Sequence, residues 1–391
     1  MRKISFFVGI VFFFFAVSFL ALPVQAKELL IGVSAGLSGG AAPTGLALLR
    51  SLELGVEEIN DAGGIKVGGD SYLLKLLVYD SKYDAREGVA VANKLIYRDR
   101  AKYVVTMGAP VIVAVNPLIT ENKIFQFVYS YGGKKVTNPN APYTFRIHLE
   151  PIQGHLIVMP WIVEKYGLKN MALASNDDET GLVQSEDAES VAKKLGLTIT
   201  DKVFTPRGTP DFTPMLTKLI AKNPQAIEFG SLGGSEGPLA CKQAKEIGYK
   251  GLYIFSYTQS IPTFEKVAGD FMDGVLFYGI FPDDPTPLAA KLRKRYEAKY
   301  KQRFDALIYR NYDALFVLKK AIETAGTLDT TAVRDTMAKV SINGVLGPTR
   351  VGGKSYYGID TQFLFPFVVS TFDAKQKKFV ELYRGSMPPD Y

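Results

Sequence analysis

Cysteine is almost missing from this chain. Cys241 stands alone, which excludes an internal disulfide and a thiolate metal cluster. It lies in Pro238-Leu-Ala-Cys-Lys-Gln-Ala-Lys-Glu-Ile247, a helical pattern that reads as a buried structural thiol rather than a nucleophile. Histidine is nearly as scarce, with only His148 and His155. A Ser-His-Asp triad or a histidine-rich zinc site therefore has almost no material, and no Gly-x-Ser-x-Gly elbow is present. Catalysis is not expected, nor is a metal or another cofactor. The glycine-rich stretch Gly36-Leu-Ser-Gly-Gly-Ala-Ala-Pro-Thr44 lacks the spacing of a dinucleotide fingerprint. Beyond Leu22 no apolar run is long enough to cross a bilayer. Low-complexity segments and short-period repeats are absent as well.

What is present begins with an export signal. Arg2 and Lys3 precede a charge-free apolar run from Ile4 to Leu22, and Val24-Gln25-Ala26 puts small residues where a signal peptidase cleaves. Residues 1–26 thus read as a signal peptide, and a periplasmic location follows. The competing reading, an uncleaved anchor, is weaker because Pro23 and the cleavage site follow the run directly. The chain beyond residue 26 is long enough for two domains with proper cores. The formal charge of +7 falls to +5 once Arg2 and Lys3 are removed. The basic residues Lys291, Arg293, Lys294, Arg295, Lys299 and Lys301 interleave with Leu288, Leu292 and Tyr296 at helical spacing, which describes a solvated helix face. No nucleic-acid partner is expected.

Strands and helices alternate. Leu29 to Ala35 is a short apolar strand, and Leu49, Leu52, Val56 and Ile59 step at helical spacing. Strands follow at Tyr72 to Tyr79, Tyr103 to Met107 and Ile124 to Tyr129, with helices at Ala85 to Ile96 and Val111 to Thr120. The same grammar restarts after His148. Strands at Met171 to Ser175, Thr198 to Phe204, Ala226 to Phe229, Leu252 to Ser256 and Val275 to Tyr278 alternate with helices at Gly181 to Leu195, Thr213 to Lys222 and Ser235 to Ile247. Helical patterns then cover Pro287 to Tyr300, Asp305 to Ala325 and Thr330 to Lys339, before strands return at Thr349 to Val351, Phe365 to Phe372 and Phe379 to Tyr383. This spacing predicts an α/β protein of two doubly wound, parallel-sheet lobes.

Residues 59–80, from Ile59-Asn-Asp-Ala-Gly-Gly-Ile65 to the strand ending at Tyr79-Asp80, join a helix end to a strand through Gly63-Gly64. With Asp84-Ala-Arg-Glu-Gly-Val-Ala-Val-Ala-Asn-Lys94, Gly208-Thr-Pro-Asp-Phe-Thr213, Gln243-Ala-Lys-Glu-Ile-Gly248, Tyr312-Asp-Ala314 and Gly344-Val-Leu-Gly-Pro348, this segment resembles the periplasmic solute-binding proteins of ABC transporters. The resemblance is to their leucine/isoleucine/valine-binding, type I branch, and it covers nearly the whole chain after residue 26. It implies two lobes joined by a three-crossover hinge near Arg146–Glu150, Gly279–Pro282 and Leu346–Arg350. The N-terminal lobe would hold residues 27–147 and 281–346, the C-terminal lobe residues 148–280 and 347–391. The implied partners are a small-molecule solute and an inner-membrane ABC permease. A ligand-sensing receptor subunit shares the fold and remains a rival reading.

In open parallel sheets, ligands bind beyond the carboxyl ends of the strands. The candidate ligand-binding residues are therefore Thr44, Pro110, Tyr129, Ser130, Tyr131, Asn176, Thr180, Gly233 and Tyr257. The resemblance implies that amino-acid-binding relatives hold the carboxylate after strands three and four and the ammonium with an acidic residue near Tyr257. Here those positions fall on Pro110 or Val111, on Tyr131 and Gly133, and on a stretch from Phe255 to Ile261 with no acid. An ammonium there would lack its carboxylate. Tyr129, Tyr131 and Tyr257 suit an aromatic or short aliphatic carboxylate, with Ser130, Thr44 and backbone N–H groups taking the anion. A leucine/isoleucine/valine- or amide-binding protein is the alternative.

Overall fold

The computed structural model describes residues 27–148, 150–256, 259–282, 284–304 and 308–387. The expected signal peptide, residues 1–26, lies outside them. The first lobe starts with β1 (Lys27–Ala35), α1 (Ala42–Asp61), β2 (Ile65–Val67), β3 (Asp70–Asp80), α2 (Ala85–Asn93), β4 (Tyr103–Met107), α3 (Ala109–Glu121), β5 (Phe125–Tyr129), α4 (Gly133–Val136) and β6 (Thr144–Arg146). The second lobe follows with α5 (Pro151–Tyr166), β7 (Asn170–Asn176), α6 (Glu179–Lys194), β8 (Thr198–Thr205), α7 (Thr213–Ile220), β9 (Ala226–Phe229), α8 (Glu236–Glu246), β10 (Leu252–Phe255), α9 (Ile261–Ala268) and β11 (Leu276–Tyr278). The chain then returns with α10 (Pro287–Tyr300), α11 (Ile308–Ala325), α12 (Thr330–Thr336), β12 (Ser341–Gly344), β13 (Gly347–Gly352), α13 (Lys354–Tyr357) and β14 (Gln362–Leu364), and ends with β15 (Phe367–Asp373) and β16 (Lys378–Gly385).

Among the described residues the strands form two sheets, ordered β12-β13-β14-β6-β5-β4-β1-β3-β2 and β16-β15-β11-β10-β9-β7-β8. The central strands pair in parallel, as the sequence pattern requires. The edges are antiparallel. β2 folds back on β3 through Gly68-Gly69, both with positive φ, the two-residue hairpin geometry that glycine supplies without strain. At the other edge of the first sheet β12, β13 and β14 pair antiparallel, and in the second sheet β15 and β16 do the same.

One expectation needs correction. The third crossing was placed near Leu346–Arg350, which assigned everything after residue 346 to the C-terminal lobe. β13 and β14 instead extend the first sheet, and the chain passes to the second sheet between Leu364 and Phe367. Gly347 and Pro348 pair with Gly344 and Asn343 in a hairpin, so this glycine–proline punctuation marks a turn within one lobe.

Apolar strand faces bury against helices on both sides of each sheet. In the first lobe Val33, Val105 and Phe127 pack with Leu48, Leu52 and Leu315, while Val104 meets Leu95 and Val115 on the other face. In the second, Ile227, Phe229 and Phe255 pack with Leu216, Cys241 and Phe264, opposite Leu173, Ile254, Val158 and Ala188. Cys241 is a buried structural thiol, its pKa pushed up to about 12 by burial. α10 and α11 close the first lobe beside α1.

The strand ends are held by close backbone contact. A Cβ on Gly45, in the first turn of α1, would lie 2.0 Å from the Gly36 carbonyl oxygen, and one on Gly181, in the first turn of α6, 2.0 Å from that of Asn176. Each lobe thus seats the helix that follows its first strand directly on the end of that strand, where any side chain overpacks. Gly181→Ala is expected to destabilise by roughly 1–3 kcal/mol, read as a lower urea midpoint, whereas Gly40→Ala, at a glycine outside the positive-φ region whose Cβ would meet nothing, should lose less.

Candidate functional site

The loops beyond the strand ends of the two lobes touch one another. The Tyr83 hydroxyl lies 3.2 Å from Thr180 Oγ1, and the Arg207 guanidinium sits 4.6 Å from the Tyr83 ring centre. Lys135 Nζ and Glu179 form an ion pair at 2.6 Å. A Cβ on Gly234 would reach the Gly40 carbonyl oxygen at 2.4 Å. These contacts define a closed cleft between the carboxyl edges of the two sheets.

The eight described candidates all lie at this edge. Thr44 is in the first turn of α1, Pro110 in that of α3 and Thr180 in that of α6. Tyr129 and Asn176 end β5 and β7, Ser130 and Tyr131 follow β5, and Gly233 precedes α8. Tyr257 lies outside the described residues. Pro110 is half-buried and the other seven are buried.

Their chemistry divides them. Tyr129 and Tyr131 meet the ring of His148 edge-on, at centroid distances of 4.3 and 4.4 Å. Tyr131 also packs into the core of the second lobe beside Ile152 and Met159, so it joins the lobes at the hinge. Ser130 donates its hydroxyl to the Tyr131 carbonyl. Asn176 is bound within its own lobe. Its backbone N–H donates to Ser231 Oγ at 2.7 Å, and its amide nitrogen donates to Glu236 at 3.2 Å. Glu236 also accepts from the Gly208 N–H and lies 3.6 Å from Arg207. Burial raises its pKa, against the pull of Arg207 and these hydrogen bonds.

Sequence reasoning missed the charged groups beneath the cleft. Arg146 and Glu150 are wholly buried and form an ion pair. Arg146 Nη2 donates to the Gly133 carbonyl at 2.7 Å, and Glu150 accepts from the Gly133 N–H at 3.0 Å, so the pair grips the turn after β5 from both sides. Glu150 also caps α5 in a reciprocal capping box with Gln153. Deeper in the second lobe His155 Nε2 lies 2.7 Å from Glu228, which accepts from Ser256 at 2.6 Å. Burial would lower the His155 pKa, but the Glu228 carboxylate more than offsets this and raises it. Asp187, on α6, accepts from the hydroxyl of Tyr356 in the first lobe at 3.2 Å. Burial pushes its pKa up to about 6, against His155, Tyr356 and Arg146. Two sequence signals were available: Glu228 stands alone in the apolar strand Ala226-Ile-Glu-Phe229, and Glu150-Pro-Ile-Gln153 spells the start of α5.

The fold and the cleft define a two-lobed binding protein, and comparison with known proteins agrees. The periplasmic binding protein family matches residues 28–362, and the chain belongs to that family. Its fold is the type I arrangement of ABC-transporter substrate-binding proteins. A Leu/Ile/Val-binding protein homolog of Brucella melitensis is 26% identical over 330 residues, covering 84% of this chain and 87% of that protein. A leucine-binding protein from Thermotoga maritima superposes with a TM-score of 0.77 at 21% identity, covering 91% of this chain and 98% of that one. A solute-binding protein of an ABC transporter from Rhodopseudomonas palustris, solved with 3,4-dihydroxybenzoic acid, superposes at 0.79 with 18% identity, covering 93% and 98%. The family is one of extracytoplasmic solute-binding proteins rather than enzymes.

A pH dependence follows from Asp187. Its folded pKa of about 6 lies above the ordinary 3.8, so between these values the folded state binds more protons than the unfolded one. Stability then falls as pH rises from about 4 to about 6. Asp187→Asn is expected to flatten that slope in urea unfolding across this range; an unchanged slope contradicts the assignment.

Proposed function

We propose that this protein captures a small organic carboxylate without an α-ammonium group, aromatic or short aliphatic, in the periplasm, and presents it to an inner-membrane ABC permease. The observation that carries the reading is the commitment of the half-buried and buried acidic groups at the cleft edge of the second lobe, Asp177 beside them being exposed to solvent. Asp178 caps α6 and pairs with Arg207 at 2.6 Å, Glu236 is held by Asn176, Gly208 and Arg207, and Glu179 is paired with Lys135. A bound ammonium would have to displace one of these cations, or be buried without a counter-charge at a cost of several kcal/mol.

The anion has support from the topology. α1, α3 and α4 start directly beyond strands of the first lobe, and α6, α8 and α9 beyond strands of the second. Their N-termini turn the positive ends of the helix dipoles toward the cleft; those of α1, α3 and α8 carry no side-chain cap, whereas Glu150 takes the Gly133 N–H of α4 and Asp178 the Gly181 N–H of α6. In this reading the carboxylate lies near Pro110, Ser130 and Thr44, and the body of the ligand against Tyr129 and Tyr131. Thr180 and Gly233 close the opposite wall, with Asn176 behind it. The Rhodopseudomonas protein supports the choice, since the same fold there holds an aromatic acid. The Brucella relative favours the alternative, a branched-chain amino acid.

A thermal-shift panel of benzoate, hydroxybenzoates, short aliphatic acids, amides and the branched-chain amino acids decides between them. A ligand at about 100 times its dissociation constant stabilises the folded state by about 2.7 kcal/mol. The expected outcome is a raised melting temperature with at least one amine-free acid. A shift confined to leucine, isoleucine or valine establishes the alternative.

A further inference from the structure

Tyr83 is placed with unusual care for a loop residue. Lys82 and Tyr83 both have positive φ, 53° and 60°, a conformation uncommon outside glycine. The turn is tied down by Asp80, which accepts from the Leu37 and Lys82 N–H groups at 2.9 and 2.8 Å. One side of the ring rests on Gly108, where a Cβ would approach it to 2.8 Å. The Arg207 guanidinium of the other lobe lies over the ring, and Thr180 of the other lobe meets its hydroxyl. Arg207 is held in position by two bonds to Asp178, at 2.9 and 2.6 Å.

We propose that Tyr83, seated on Gly108 and covered by Arg207, is a latch that holds the lobes together with no solute bound. The inference rests on reading the chain as a two-lobed solute-binding protein, but not on which solute it takes. Of these contacts only those to Thr180 and Arg207 cross between the lobes, and they are the ones that opening of the cleft breaks. A cation over an aromatic face and a hydroxyl pair are each modest. Together they shift the closed-to-open ratio by about tenfold, equivalent to about 1.4 kcal/mol. A solute that binds the closed state then meets a larger competent population, and its apparent dissociation constant falls in proportion. Tyr83 and Arg207 act on affinity as positioning residues, whatever lies in the cleft.

The test needs no solute. Exposed positions far from the cleft, Lys102→Cys in the first lobe and Lys222→Cys in the second, carry a donor and acceptor pair, Cys241 being buried. Single-molecule energy transfer then gives the closed and open populations of the ligand-free protein. Tyr83→Leu keeps apolar bulk and loses the π face, and Arg207→Lys keeps the charge beside Asp178 and Glu236 and loses the planar cover. Each should lower the closed-to-open ratio by several-fold to tenfold, and Tyr83→Phe by less. If Tyr83→Leu does not fold, Arg207→Lys and Thr180→Val carry the comparison. Unchanged populations in the folded variants, or a ligand-free protein that is wholly open, overturn the latch. Failure of any compound to bind would count against the proposed function instead.

Discussion

A guanidinium and a carboxylate with no access to water sit where the chain first passes between the lobes. Removing two charges from solvent is costly, and their mutual attraction offsets that cost only when the remaining hydrogen-bonding capacity is also used. Arg146 and Glu150 use much of theirs on the Gly133 turn, Tyr357 and the capping box of α5. The pair therefore fixes three things together: the turn after β5, the start of the first hinge helix, and the segment between β13 and β14. Loss of either partner would strand a buried charge, which typically costs about 3–5 kcal/mol. Moving parts of the cleft are built outward from this fixed point.

The second lobe carries a related arrangement. His155 and Glu228 form a buried pair across the sheet–helix layer, and Asp187 reaches from the same layer to Tyr356 of the first lobe. The hinge region is thus polar inside and apolar around it. Buried polar contacts have definite geometry where packing alone tolerates sliding. The loops above, bounded by glycines that touch backbone, can then close on one another with little freedom. Closure itself needs only that a solute bind the closed form better than the open one.

Much of this was legible in the sequence because it depends on local pattern. β9 is a short buried segment, apolar but for Glu228, and α10 begins at a proline after a threonine cap, and both fall where the sequence pattern puts them. The candidate residues lie at strand ends because doubly wound topology leaves no other place for a ligand edge. α5 escaped because it is apolar on most sides and contains Pro160, so helical periodicity is weak. β2 escaped because only three residues precede its Gly68-Gly69 turn. The third crossing was misplaced because Gly347-Pro348 looks like a boundary and is a hairpin. The partners of Tyr83, Arg146 and His155 were not legible at all. Tyr83 and Thr180 are 97 residues apart, and nothing local in either segment announces the other.

The central claim is that the cleft selects against an α-ammonium. Isothermal titration calorimetry with two matched pairs tests it most directly: L-leucine against 4-methylpentanoate, and L-phenylalanine against 3-phenylpropionate. The members of each pair differ only in the amine. In a pair that binds, the account predicts that the amine-free acid binds more tightly by about tenfold or more, the effect of a buried charge left without its partner. Tighter binding of leucine or phenylalanine than of its amine-free counterpart would contradict the account, and would mean that a carboxylate in this cleft is released to hold the ligand.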